Sequence, residues 1–256
     1  MSTPLAACRN LIVVAGHAPF KETVLSVPAH PEQDDGWVLQ SFQHGEPPLY
    51  IEHIRRGVEL AWNDPDALLM FSGGYTRSEA GLRWSEAATY AAIARHYRWW
   101  TEAGANDSAQ VPERYGTEDF SRDSFENLLF SLCRFQEITG HYPDRVTVVS
   151  WAFKQPRFDF HRAAIRFPAE RFCYERCNEP LLLDAALAGE AVTFSEFKAS
   201  RYGASPEISA KRARRNPFAR QHPFARCPGM ENFFAFISDP AHGHDVFPGR
   251  LPWDQS

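Results

Sequence analysis

Three short, uninterrupted apolar runs constrain this chain more than any other feature. They are Asn10-Leu-Ile-Val-Val-Ala-Gly16, Ala67-Leu-Leu-Met-Phe-Ser72 followed by Gly73-Gly74, and Arg145-Val-Thr-Val-Val-Ser150. Each lacks polar alternation and is too short for an ordinary helix, which is the pattern of a strand buried on both faces of a parallel sheet. The third is β-branched and follows the turn signal Tyr142-Pro143-Asp144.

Helical periodicities lie between these runs. Ile51, Ile54, Val58 and Ala61 share a face over 51–62, and Ala87, Ala91, Ala94 and Tyr97 share one over 83–100. Phe125, Leu128, Leu129, Leu132, Phe135 and Ile138 form the clearest stripe, stopped at Gly140. The alternation predicts an α/β fold: a Rossmann-like open, mostly parallel sheet with helices on both faces and right-handed crossovers. Gln110-Val-Pro-Glu113 and Arg171-Phe-Cys-Tyr-Glu175 read as two weaker strands, and 181–187 as a helix. Two parts are expected: an α/β domain over 1–200, with its core in 10–175, and an irregular, aromatic-rich C-terminal extension over 201–256. The extension is expected to pack on the domain, because Phe218, Phe224, Phe233, Phe234, Phe236, Phe247 and Trp253 carry too much apolar surface to leave in water. The phrase Asn216-Pro-Phe-Ala-Arg220 recurs as His222-Pro-Phe-Ala-Arg226, which is too few copies for a repeat architecture.

The 256 residues are 44% hydrophobic and 14% aromatic, enough apolar surface to offset the entropy of ordering a core. Against 32 acidic side chains stand 27 basic ones, a formal charge of −5, which argues against a general binder of nucleic acid or of anionic membranes. The opening residues lack the basic and apolar regions of a signal peptide, and no apolar run is long enough to span a bilayer, so no membrane anchor is expected. Five cysteines, an odd and sparse set, suggest reduced thiols and a cytoplasmic location, with the nucleus as the alternative. Lys211-Arg212-Ala-Arg214-Arg215 reads as a solvated loop in preference to a nuclear-localisation or nucleic-acid patch.

In an open parallel sheet, ligands bind beyond the carboxyl ends of the strands. That rule selects Gly16 and His17, then Ser72, Gly73 and Gly74, then Ser150 with Lys154 and Arg157, and the start of the stripe helix with Ser121, Asp123, Ser124 and Asn127. Gly73 and Gly74 could offer a nest of backbone amides to a phosphate or carboxylate, although a tight turn is the plainer account. No Walker lysine follows, and the serine precedes both glycines, unlike a nucleophile elbow. Asp123 and Glu126 stand three apart, as in a capping box whose duty is the first-turn amides. Glu118 lies outside that helix and is, with His17, the candidate for moving a proton. The planar fork of Arg157 suits an anion. Cys173 with Cys177, and His242-Gly-His244-Asp245, lack the remaining ligands of a zinc set, so no metal is expected.

In their order and spacing these phrases resemble the YdcF-like family (domain of unknown function 218). The resemblance rests on Leu11 to Gly16, Ser72-Gly73-Gly74, Ser85-Glu86-Ala87, Glu118 with Ser121 to Asn127, and Val149 to Arg157, and covers about residues 10–175. Lys154 stands where the family pattern has a histidine, and Asp123-Ser124 where it has asparagine-threonine, which keeps anion binding but removes proton transfer by that histidine. The long extension and missing anchor are more similar to soluble fungal-type members than to bacterial envelope ones, which have been linked to lipid-carrier or cell-wall metabolism. The resemblance implies a Rossmann-like sheet, adds Glu86 to the ligand-binding set, and brings in S-adenosylmethionine or a nucleotide without fixing a cofactor. The resulting expectation is a small-molecule enzyme, a hydrolase or transferase, acting on a phosphate-bearing or nucleotide-like anionic small molecule. The alternatives are a non-catalytic binder of a nucleotide or S-adenosylmethionine, and an interaction protein that works through its Phe-rich tail. No particular protein partner is indicated. Methyl transfer is disfavoured, since the glycine-rich first loop and acidic second-strand end of that chemistry are not apparent.

Overall fold

The three apolar runs become β1 (Asn10–Ala15), β2 (Ala67–Ser72) and β4 (Arg145–Ser150) in the computed structural model, which describes residues 5–21, 30–77, 80–99 and 110–254. With β3 (Tyr115–Glu118) and β5 (Phe172–Arg176) they form one five-stranded sheet in the order β3-β2-β1-β4-β5, every pairing parallel. Alternate residues of each inner strand feed two separate cores. Leu11, Val13, Leu68, Met70, Val146 and Val148 enter one, while Ile12, Val14, Leu69, Phe71 and Val149 enter the other. Burial on both sides is why these runs carry no polar alternation.

The second core is covered by α1 (Pro47–Asn63) and α2 (Glu86–His96), which contribute Tyr50, Ile54, Val58, Tyr90 and Ile93. Helix α1 lies so close to β1 that a Cβ on Gly57 would sit 2.3 Å from a methyl of Val14. The first core is covered by α4 (Ser124–Thr139) and α5 (Gln155–Ala164). Asp123 caps α4 by accepting from the amide of Glu126 at 3.0 Å, and Gly140 closes it in the left-handed region at φ 87°. The α/β fold with a Rossmann-like open sheet is therefore the fold of this chain.

Several expected elements shift. Residues Gln110–Glu113 are a short helix, α3, and not a strand; pairing with β2 starts at Tyr115. A proline at position 112 would remove a ladder donor, and the buried Arg114 is turned instead to the carbonyls of Ala61 and Asp64 at the end of α1. The helix expected over 83–100 starts at Glu86, where Ser85 Oγ accepts from the Ala88 amide, and ends at His96; Trp100 lies outside the described residues. The helix expected at 181–187 continues as α6 (Leu183–Ala199). The C-terminal residues are not irregular throughout, since they include α7 (Pro206–Arg214) and α8 (Glu231–Ser238). Phe224, Phe233, Phe234, Phe247 and Trp253 lie in the same core as α4 and β1, whereas Phe218 stays 50% exposed. Among the described residues no helix is long and apolar enough to cross a membrane.

Candidate functional site

The strand order reverses at β1, because the chain steps outward to β2 and β3 and then returns to lay β4 on the other side. Such a reversal leaves a crevice beyond the carboxyl ends of the strands. A cavity of about 560 Å³ opens there, walled by Gly16 and His17 after β1, Gly73, Thr76 and Arg77 after β2, and Ser150 at the end of β4 with Trp151 and Lys154 after it. Ser121, Asp123, Ser124 and Asn127 add the start of α4, Arg157 comes from α5 and Glu86 from α2. Of the expected residues, Ser72, Gly74 and Glu118 do not reach this wall.

The glycines do not form an anion nest. The amide of Gly73 donates to the Glu118 carbonyl at 3.0 Å, that of Gly74 to the Ser121 carbonyl at 2.8 Å, and that of Gly16 to the Ser72 carbonyl at 2.7 Å. With their donors spent, they serve a steric need instead. A Cβ at Gly16 or Gly73 would lie 2.7 Å from Glu86 Cβ, and one at Gly74 would lie 2.5 Å from the Ser121 carbonyl. The absence of side chains at 16 and 73 lets Glu86 enter the cavity between the two strand ends, where Thr76 Oγ1 donates to it.

Glu118 lies beneath the cavity floor. Its carboxylate accepts from the amides of Phe120 (2.7 Å) and Ser121 (3.0 Å) and from the Ser72 hydroxyl (2.7 Å). Asn127 Nδ2 in turn donates to the hydroxyls of Ser72 and Ser121 at 2.8 and 2.9 Å. Burial outweighs these bonds and pushes the Glu118 carboxyl up to about 7. It is an anchor for the floor, not a group placed against a ligand.

His17 does face the cavity, and its hydrogen bonds assign its tautomer. Asn178 Nδ2 donates to the Leu49 carbonyl (3.2 Å) and to Glu52 (2.9 Å), which turns Asn178 Oδ1 toward His53 Nε2 at 2.6 Å. His53 must therefore donate from Nε2 and accept at Nδ1, where His17 Nε2 approaches to 3.1 Å. His17 thus carries its proton on Nε2 and a lone pair on Nδ1. Burial holds both rings neutral, with His53 lowered to about 3 and His17 well below its ordinary value, the positive charge of Lys154 adding to the effect. Trp151 stacks on His17 at 5.3 Å, and Gln43 Nε2 donates to its carbonyl at 3.1 Å.

Arg157 is already occupied. Its Nε and Nη2 reach the two oxygens of Glu190 on α6, each at 2.7 Å, and Nη1 donates to Ser124 Oγ. Ser124 Oγ also lies 2.8 Å from the Nε2 of buried His161. Asp123 accepts from Arg212 Nε at 2.7 Å; burial opposes its ionisation, but the guanidinium holds its carboxyl well below the usual carboxylate range. Asp123 is accordingly a cap and an ion-pair partner at once.

Two of the cations without such partners, Lys211 and Arg215, come from a segment that reads in the sequence as a solvated loop. This segment is not a loop: residues 211–214 end α7 and Arg215 is its C-cap, an arrangement that turns Arg212 inward to Asp123 and Glu126 and presents Lys211 and Arg215 to the cavity. Among the described residues, no carboxylate lies within ion-pair distance of Arg77, Lys154, Lys211 or Arg215. Burial, reinforced by the charges of its neighbours, draws Lys154 down to about 7 and Lys211 to about 8. Arg77 is 7% exposed; among the described residues its Nε has no partner, and its Nη1 donates to the Thr76 carbonyl at 3.2 Å. Of the acidic groups on the wall, Asp123 and Glu190 are ion-paired with Arg212 and Arg157, whereas Glu46 and Glu86 accept only from the hydroxyls of Tyr50 and Thr76, and the Glu86 charge acts on Arg215 from beyond ion-pair distance. The arrangement can neutralise an anion, and His17, with its lone pair on Nδ1, stands on the wall of the same cavity.

No group of three or more potential metal ligands assembles among the described residues. Cys173 is exposed and Cys177 half-buried, both as free thiols, and His242 instead faces Asp245 at 3.0 Å.

The chain is similar to the uncharacterized protein YOR238W of Saccharomyces cerevisiae, with 27% identity covering 85% of this chain and 86% of the yeast protein. No family model matches the chain. No solved structure matches it at a significant level.

Proposed function

We propose that this chain is a small-molecule enzyme acting on a phosphate-bearing or nucleotide-like ligand bound at the carboxyl edge of the sheet. The observation that carries the reading is the set of cations, Arg77, Lys154, Lys211 and Arg215, gathered around one cavity without an ion-paired carboxylate among the described residues. Burying a guanidinium without a counter-ion is unfavourable, so a site of this kind is completed by a ligand that supplies the negative charge. In this reading His17 Nδ1 accepts the proton of an attacking water or hydroxyl, and the Lys154 ammonium, poised near neutrality, neutralises or protonates the departing oxygen. That assignment makes the chain a hydrolase or transferase. Membership of the YdcF-like family and a cytoplasmic location belong to the same proposal; the first rests on the ordered short phrases alone, the second on free thiols.

The surplus of cations speaks against S-adenosylmethionine, whose sulfonium would be repelled. Packing of Phe224, Phe233, Phe234 and Phe247 in the core speaks against a tail that works as an exposed aromatic surface. The test is native mass spectrometry of the freshly purified chain, followed by thermal-shift screening of nucleotides and phosphorylated metabolites. The reading expects a phosphate-bearing ligand whose binding is lost in Arg77→Ala, with turnover of that ligand abolished in His17→Asn. Failure of every phosphorylated compound to bind at millimolar concentration would overturn it.

A further inference from the structure

We infer that the site takes a ligand with at least two linked phosphate groups, one beside Lys154 in the main cavity and the next in an adjoining hollow between Arg77 and Arg214. The inference rests on the anionic ligand proposed above and adds the number and direction of its charges. The adjoining hollow is walled by Gln40, Thr76, Arg77, Lys211, Arg214 and Arg215, and all of these except Arg214 also wall the main cavity. The two spaces are therefore one continuous trough, and among the described residues no carboxylate lines its second half.

The local structure of α7 aims these charges. Lys211, Arg214 and Arg215 stand at i, i+3 and i+4, which places them on one side of the helix, while Arg212 is held on another by Asp123 and Glu126. Arg215 Nη1 donates to the Arg122 carbonyl at 2.7 Å, which fixes its guanidinium without neutralising it. Across the trough stands the buried, under-bonded Arg77. Five cations thus surround the trough with no carboxylate partner among the described residues. One phosphate group brings about two negative charges at most and leaves the remaining cations repelling one another. A second linked phosphate relieves that repulsion by pairing with Arg77 and Arg214 in the adjoining hollow.

Calorimetric titration of the full-length chain at constant ionic strength, with sodium orthophosphate, pyrophosphate and tripolyphosphate as probes, tests this. Pyrophosphate is expected to bind about 30-fold more tightly than orthophosphate, the scale of one added charge-assisted contact pair. Arg214→Gln, an exposed position, is expected to weaken pyrophosphate about tenfold and orthophosphate no more than about twofold. Equal affinities for orthophosphate and pyrophosphate would overturn the inference and leave the anionic site standing. An unchanged pyrophosphate affinity in Arg214→Gln would overturn the placement of the second group. Binding of none of the three would overturn both the inference and the function on which it rests.

Discussion

Arg157 and Glu190 face each other in a fork-to-fork ion pair, two bonds of 2.7 Å between side chains that are 8% and 10% exposed. The pair ties the first turn of α5 to the middle of α6 and removes from the ligand's reach the arginine that the sequence singled out for it. Glu190→Gln should release that guanidinium and raise orthophosphate affinity about tenfold, read by calorimetry. Arg157→Ala should instead leave a carboxylate nearly buried without its partner and lower stability by about 3 kcal/mol in urea unfolding. Weaker phosphate binding in Glu190→Gln would show that the pair supports the site and does not compete with it.

Lys154 should announce an anion by taking up a proton. Burial and the nearby positive charges of Arg157, Lys211 and Arg215 draw its ammonium down to about 7, and a bound phosphate opposes those effects and raises it again. At pH 8 most of the free protein therefore carries a neutral Lys154, and phosphate binding should absorb close to one proton there, with a further fraction at Lys211, which lies at about 8. Enthalpies measured in buffers with different heats of ionisation give that number directly. Lys154→Met should lower the uptake by close to one proton and leave the fraction taken up by Lys211, and equal enthalpies in the unaltered chain would contradict the placement of the anion beside them.

Glu118 gives the fold a pH dependence of defined sign. Its folded carboxyl is pushed up from 4.5 to about 7 by burial. The stability linked to its protonated form is thus fully present below pH 4.5 and is lost as the pH rises through 7, a change of about 3 kcal/mol. The buried neutral histidines run the other way, losing stability as the pH falls, so the Glu118 contribution is isolated as the difference between the unaltered chain and Glu118→Gln. That difference should shift in favour of the glutamine by about 3 kcal/mol between pH 4.5 and pH 8 in urea unfolding. A difference that does not vary with pH would place the Glu118 carboxyl at its ordinary value.

A chain ending at Tyr202 should fail to remain folded. It would lose Phe224, Phe233, Phe234, Phe247 and Trp253 from the core shared with α4, together with Arg212, which neutralises Asp123. Burial of those five aromatics contributes on the order of 7–15 kcal/mol before ordering costs, as much as the net stability of a typical domain. Aggregation or a lost thermal transition is the expected outcome. A soluble monomer with an unchanged melting temperature would detach this segment from the core.

The inner strands were legible because burial on both faces writes a continuous apolar run into the chain, as in Leu11–Ala15 and Leu68–Phe71. Strand β3 was not, since Tyr115-Gly-Thr-Glu118 sits at the sheet edge and only Glu118 is buried. The strand-end rule found His17, Gly73, Lys154 and Arg157 at the cavity wall. It could not tell that the Gly73 and Gly74 amides are consumed by carbonyls of the β3–α4 segment, because hydrogen-bond partners distant in sequence leave no local trace. Lys211, Arg214 and Arg215 carried a usable signal, the i, i+3, i+4 spacing after Ser205-Pro206. What remained hidden was the return of α7 across the strand ends, a tertiary fact. His53 and Asn178, which fix the tautomer of His17, are 125 residues apart and had no sequence signal at all.

The placement of an anion among Arg77, Lys154, Lys211 and Arg215 is open to the anomalous scattering of tungstate, a phosphate mimic, in a crystal of the chain. A strong peak is expected inside the cavity, with Lys154 Nζ and at least one guanidinium of Arg77 or Arg215 within about 3 Å of its oxygens. A peak confined to the protein surface, with the cavity empty at saturating tungstate, would contradict it.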